Sequence, residues 1–469
     1  MDRSYYIGSE LVKLEEIEGS LSVYPSRNFI AQRSMHNAAL RFGEQSNPVA
    51  EYGLIEEEYK AFESAGWLFV RPSVDVSNVF RALSKVPEAE AIGYMYRTQD
   101  GRLLVGTNSL IIKASPSYET REARAFLRRQ GFILRKQLNF ATNTFIAVSQ
   151  HRENTFDAIE RLCQIGGVIT VEPRFLEAIG PRHMPSEPLF GQKWQRLHPG
   201  HYDVVESLKR AWNTTRGDGV KLAIVDVGFD VGHPDLVGGI IRKAYFKDDG
   251  TGDASLVVQS DDYPNDNHGT FCAGLAVARY SNRTGRCGVA PAAGLIPITC
   301  LNDLIGTQDT LARAIAYAAA PSIEDPSASS DDGADVISCS LGPRPASWKM
   351  HTVLQDAITF AANSGRSGKG AVIFWAVNNN RFMIQYDEVC SHPDVIAVGR
   401  SDRFGLENGS AYGPELDFLA PGVDVYSTTS GGGMARIPAQ VTQRLLPPVW
   451  VHWFSRIALI LTASKSAIA

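Results

Sequence analysis

Apolar and polar positions follow two different rhythms along this chain. Over residues 203–432, short unbroken apolar runs (221–225, 295–300, 335–338, 371–376 and 395–398) are separated by stretches at 269–280, 309–319 and 350–364 that read as helices. Such runs predict buried parallel strands in an α/β, doubly wound sheet with helices on both faces. Residues 101–182 have another order: a strand at 109–114, a helix at 120–130 with an Arg-studded polar face, strands at 133–138 and 144–149, a helix at 155–163 and a strand at 168–172. That βαββαβ succession predicts a small ferredoxin-like unit. Residues 1–100 offer strands at 67–70 and 92–96 and helices at 56–65 and 76–83, with no recognisable chemistry. Pro181, Pro185 and Pro188 mark a linker. The expected organisation is therefore 1–100, 101–182, a linker over 183–202, a main domain over 203–433 and a tail over 434–469.

Composition narrows the function classes. The 469 residues are 44% hydrophobic and 21% charged, with a net charge of −5, as in ordinary globular proteins. Without a basic surplus, nucleic acid is not an expected partner. Six cysteines (Cys163, Cys272, Cys287, Cys300, Cys339, Cys390) show no CxxC pair for zinc and are too sparse for a disulfide scaffold. The N-terminus, MDRSYYIGSELVKLEE, has no apolar signal core, so cytoplasmic residence is the default expectation, with secretion kept open. The most apolar window, 449–463, is interrupted by His452 and Arg456, and no membrane span is expected.

The candidate chemistry gathers where the apolar runs end, which is where open α/β sheets bind ligands. Asp226 closes the run at 221–225; taken alone, it would read as a helix cap. Forty-two residues later, His268 opens the segment His268-Gly269-Thr270-Phe271-Cys272-Ala273-Gly274. Ser340-Leu341-Gly342 follows the run at 335–338, and such a strand end can pair with an extended peptide. Asn378 ends the run at 371–376, where its amide could donate to a developing oxyanion, although an isolated Asn would read as a turn.

In this order, the pieces resemble the subtilisin-like serine peptidases, or subtilases. The family's aspartate motif matches Asp226, Gly228, His233, Pro234 and Asp235; its histidine motif matches 268–274, with Phe271 and Cys272 as departures. Gly288–Pro291, Ser340–Gly342, His392–Arg400 and Gly413–Thr428 also match, and Asn378 falls at the oxyanion position with Val377 in place of the usual Gly. The likeness covers residues 185–432 and implies peptide-bond hydrolysis through an Asp-His-Ser triad, Ser340, Leu341 and Gly342 holding the substrate. It also implies that residues 101–182 are an inhibitory propeptide, and that the partner is a polypeptide met by a monomer. No cofactor is required. Many members carry structural calcium, but Asp248-Asp249 and Asp261-Asp262 lack EF-hand spacing and read as solvated loops.

The family's serine motif, GTSMA followed by Ser or Ala and Pro, is absent. After Gly431-Gly432-Gly433 the chain has no Asp or Glu, and Ser455, Ser464 and Ser466 lack the flanking residues. Read one base over, with wobble bases chosen freely, the codons from Met434 permit a string opening GTDTGTSYAAPAAAG, its serine across the codons of Gln440 and Val441. This points to a frameshift near Met434. A chain without its nucleophile keeps only the residual rate of binding and oxyanion stabilisation, so it is expected to be inactive. The alternative reading is a pseudopeptidase that binds peptides without cutting them.

Overall fold

The structure, a computed structural model, describes residues 2–7, 10–25, 43–45, 49–72, 75–83, 89–150, 155–181, 211–248, 252–260, 263–279, 288–301, 305–343, 347–402, 406–407, 409–422 and 425–436. The linker expected at 183–202, the tail beyond 436 and the absent serine motif lie outside these residues.

The N-terminal part is a single nine-stranded sheet. It begins with a hairpin of β1 (Asp2–Ile7) and β2 (Glu10–Pro25), followed by β3 (Gly43–Gln45), α1 (Glu56–Ser64), β4 (Leu68–Pro72), α2 (Val76–Leu83) and β5 (Ala89–Arg97). The expected βαββαβ unit follows as β6 (Leu103–Ala114), α3 (Thr120–Arg129), β7 (Phe132–Gln137), β8 (Thr144–Ser149), α4 (Thr155–Cys163) and β9 (Val168–Glu177). The expected boundary at 100/101 does not separate two sheets. It falls in the turn between β5 and β6, which pair antiparallel from Met95↔Val105 to Arg97↔Leu103. The cause is the length of β6: its first half takes β5, its second half takes β8, and β9 runs along its other edge.

The second part is an eight-stranded sheet. Its members are β11 (Lys221–Asp226), β12 (Ala244–Asp248), β13 (Ala254–Val258), β14 (Gly294–Thr299), β15 (Val336–Cys339), β17 (Val372–Ala376), β18 (Val395–Ser401) and β19 (Phe418–Pro421), in the order β13-β12-β14-β11-β15-β17-β18-β19. Every pair is parallel except β12 with β13. Alternation along β11 makes the two layers: Ala223 and Val225 join one apolar cluster, Leu222 and Ile224 the other. Helix α5 (Asn267–Val277) packs in the second, while α6 (Gln308–Ala319) and α7 (Thr352–Gly368) cover the first. Regular helix ends before Gly365, since Arg366 and Ser367 take positive φ.

The N-terminal sheet docks on the α6/α7 side. Ile111, Leu138, Phe140, Ala141 and Ile146 enter the same apolar cluster as those two helices. Glu172 of β9 accepts from the Thr352 N–H at the start of α7, 3.2 Å away, and Arg174 holds the buried Asp309 in the first turn of α6 at 2.7 and 3.0 Å. After β9, the short β10 (Gly180–Pro181) pairs antiparallel with β16 (Leu341–Gly342), in the register Gly180↔Gly342 and Pro181↔Leu341. The N-terminal sheet thus ends against the strand expected to hold substrate.

Candidate active site

Three neighbouring parallel strands deliver the site. Asp226 ends β11, Ser340 follows β15 and Asn378 follows β17 by two residues, so all three lie at the carboxyl edge of one sheet. Asp226 is fully buried, and its Oδ1 accepts the Val227 N–H at 2.8 Å. His268 reaches it from α5, whose N-cap Asp266 accepts the His268 N–H at 2.6 Å. Close approach of helix to strand depends on Gly269, where a Cβ would collide with the Gly228 carbonyl oxygen and stand 3.1 Å from the Asp226 Cβ.

His268 Nδ1 lies 2.8 Å from Asp226 Oδ1 and 2.9 Å from Oδ2. A carboxylate only accepts, so Nδ1 carries the hydrogen, and in neutral imidazole Nε2 keeps the lone pair. Burial alone would push His268 down, but the Asp226 charge more than reverses this and holds its pKa well above the ordinary 6.5. The Cys272 sulfur is 4.0 Å from Nδ1, and burial pushes this thiol up, with His268 pulling the other way. The arrangement holds a proton on Nδ1 and presents a base at Nε2.

Asn378 is buried and its amide is fixed: Nδ2 donates to the Pro343 carbonyl at 3.1 Å, and Oδ1 accepts the Asn380 N–H at 3.1 Å. Val377, in the place of the family's usual Gly, packs in the apolar cluster that also contains Leu341 and Trp375. Trp375 Nε1 donates to the Leu341 carbonyl at 2.7 Å and steadies the strand that β10 occupies. Two features were not foreseen from sequence. One is the Cys272 sulfur beside the imidazole, although i to i+4 spacing on a helix signals it. The other is a hairpin of β20 (Tyr426–Thr429) and β21 (Gly433–Arg436) bonded to both motif loops.

Residues 217–445 match the subtilase family. Thermitase of Thermoactinomyces vulgaris is 34% identical over 221 residues, covering 47% of this chain and 68% of thermitase. The chain belongs to the subtilase family. A thermophilic serine proteinase of Bacillus sp. (strain AK1) is 36% identical over 229 residues, or 48% of this chain and 49% of that protein. A calcium-dependent protease of Nostoc sp. is 30% identical over 339 residues, or 66% of this chain and 45% of that protein. This subtilase thus spans about half the length of those two relatives. Its fold resembles fervidolysin of Fervidobacterium pennivorans, a keratinolytic enzyme related to subtilisin, with a TM-score of 0.56 and 18% identity over 76% of this chain and 55% of that one.

Among the described residues, three metal-ligating side chains come together only at Asp226, His268 and Cys272. One carboxylate, one imidazole and one thiol do not suit calcium, which takes six to eight oxygens. Of the acidic pairs expected in loops, Asp249, Asp261 and Asp262 lie outside the described residues, and Asp248 Oδ1 accepts the Gly252 N–H at 3.3 Å. No described helix is long and apolar enough to cross a membrane.

Proposed function

We propose that this subtilase is built for endopeptidase chemistry on polypeptides, and that the chain as written lacks the nucleophile because of a frameshift near Met434. The observation that carries this is the buried Asp226–His268 pair, with Nδ1 on both carboxylate oxygens beside a strand that already pairs with another chain segment. In the complete site, a serine Oγ bonds to the substrate carbonyl carbon as its proton passes to His268 Nε2. Asp226 keeps the imidazole in the Nδ1–H tautomer and balances its charge. The Asn378 amide and a backbone N–H receive the oxyanion. His268 then returns the proton to the leaving nitrogen as the C–N bond breaks, and water repeats the sequence to free the acid.

In this reading Ser340, Leu341 and Gly342 bind the substrate strand, and the N-terminal sheet acts as an inhibitor by filling that groove with Gly180–Pro181. The same pairing favours a second reading, a peptide-binding protein that does not cut. Calcium, by analogy with the relatives named for it, would serve stability alone.

The test is cleavage of a chromogenic peptide by two chains, one as written and one with a base restored before Met434. The restored chain is expected to cut and to react with a fluorophosphonate, and the written chain to do neither. Codons that forbid GTSYAAP, or cleavage by the written chain, would overturn the frameshift reading. A restored chain that binds peptide but stays inert would favour the second reading.

A further inference from the structure

The aspartate motif extends past Asp226 through Gly228 to Asp235, and catalysis through the Asp226–His268 pair leaves the rest of that loop without a task. Asp230 and His233, both in that loop, hold the β20–β21 hairpin. Asp230 Oδ2 accepts the Gly431 N–H at 2.9 Å and the Gly432 N–H at 3.3 Å. These N–H groups converge on one oxygen because both glycines take positive φ, +82° and +76°, which side-chain-bearing residues rarely adopt. His233 Nδ1 accepts the Asp235 N–H at 3.1 Å, so its Nε2 carries the hydrogen and donates to the Gly433 carbonyl at 3.0 Å.

The loop is itself tied to the histidine helix. Asp230 N–H donates to Thr270 Oγ1 at 2.8 Å, and the hairpin returns to α5 by Ser427 on Phe271 O, Thr428 on Thr270 O and Ser430 N–H on Asn267 Oδ1, at 2.6, 2.6 and 3.0 Å. Aspartate loop, histidine helix and hairpin therefore form one closed set of contacts. Gly433 is the last residue that the aspartate loop holds; Met434, Ala435 and Arg436 continue β21 against β20 in the chain as written, and the inferred frame departure falls at Met434. With one base restored before Met434, the serine comes eight residues beyond Gly433. An error in where the chain leaves the hairpin is passed on to the nucleophile.

We propose that Asp230 and His233 are positioning residues which fix the take-off point of the serine-bearing segment relative to the Asp226–His268 pair. The inference rests on the reading above. A nucleophile displaced by about 1 Å loses on the order of 100-fold in rate, while groove contacts to substrate are unchanged. In the frame-restored chain, Asp230→Asn either turns the shared oxygen into a donor facing the Gly431 and Gly432 N–H groups, or keeps an uncharged oxygen there and sets its NH2 against the Gly232 N–H that Oδ1 accepts at 3.1 Å.

It is expected to lower kcat by roughly 10- to 100-fold and to slow fluorophosphonate labelling in proportion, with KM within about twofold. In the chain as written, D230N is expected to speed amide exchange at Gly431 and Gly432 while the low-field His268 Nδ1–H resonance stays in place. Gly431→Ala strains the same turn at φ +82° while its Cβ meets nothing within 4 Å, the aspartate loop included, and is expected to lower kcat with KM unchanged. It decides the matter should D230N not fold.

Unchanged kcat in a variant whose Gly431 and Gly432 amides exchange faster would overturn the proposal. Loss of the His268 resonance would do so too, since Asp230 would then act on the pair and not through the hairpin. If the restored chain itself is inert, the endopeptidase reading fails; if it cuts and D230N cuts equally well, only the positioning role fails.

Discussion

His268 and Asp226 are a proton-linked pair, and this has consequences for both stability and rate. The folded pKa of His268 lies above its ordinary 6.5, so folding favours the protonated form. The stabilisation is fully present below pH 6.5 and is lost as pH rises through the folded pKa. The base needed at Nε2 appears only on that same rise. The acid limb of kcat/KM in the frame-restored chain is therefore expected above pH 6.5, and a pH–rate profile reads it directly. Asp226→Asn is expected to move that limb to lower pH and to lower kcat by about 10⁴, since a carboxamide no longer dictates the tautomer. An acid limb that stays put in D226N would mean another group sets it.

At the scale of elements, the site depends on how closely α5 approaches β11. Gly269→Ala would drive a Cβ into the Gly228 carbonyl and against Phe229, pushing the helix from the strand end. A destabilisation of about 1–3 kcal/mol is expected from such overpacking. Urea unfolding measures it, and loss of the low-field His268 proton would report the broken pair. Much of this element was legible in advance. Asp226 and His268 sit at the ends of a buried run and a small-residue helix, and the five parallel strands at 221–398 announced themselves as short apolar runs. Strand β2 was not legible, because its in–out alternation breaks near Gly19, which has positive φ, and the pairing with β5 slips register between Glu16 and Leu21. Nor was the β20–β21 hairpin. Its role comes from contacts with residues some 160 to 200 positions earlier, and no local pattern encodes those.

At the scale of the molecule, the N-terminal sheet and the peptidase sheet are joined by buried charge as well as apolar surface. Burial would raise Asp309, but Arg174 outweighs it and holds the carboxyl below its ordinary 3.8. The contribution of that pair is present above pH 3.8 and is lost only as pH falls through the lower folded value, so mild acid is not expected to undock the two parts. Arg174→Ala leaves Asp309 buried without its guanidinium, and a loss of about 3–5 kcal/mol is expected. Denaturant unfolding measures that loss, with limited proteolysis of the N-terminal sheet as a second readout; a change under 1 kcal/mol would show that water or a rearranged neighbour replaces the pair. The two residues of β10 carry a different kind of consequence. They reach the groove as part of the same polypeptide, so their local concentration is set by chain geometry, of millimolar order for a tethered segment, and not by how much protein is in solution. Dilution cannot empty such a groove. An external peptide that binds with micromolar affinity meets a competitor whose supply never falls, until a cut between the two parts turns that fixed concentration into an ordinary one.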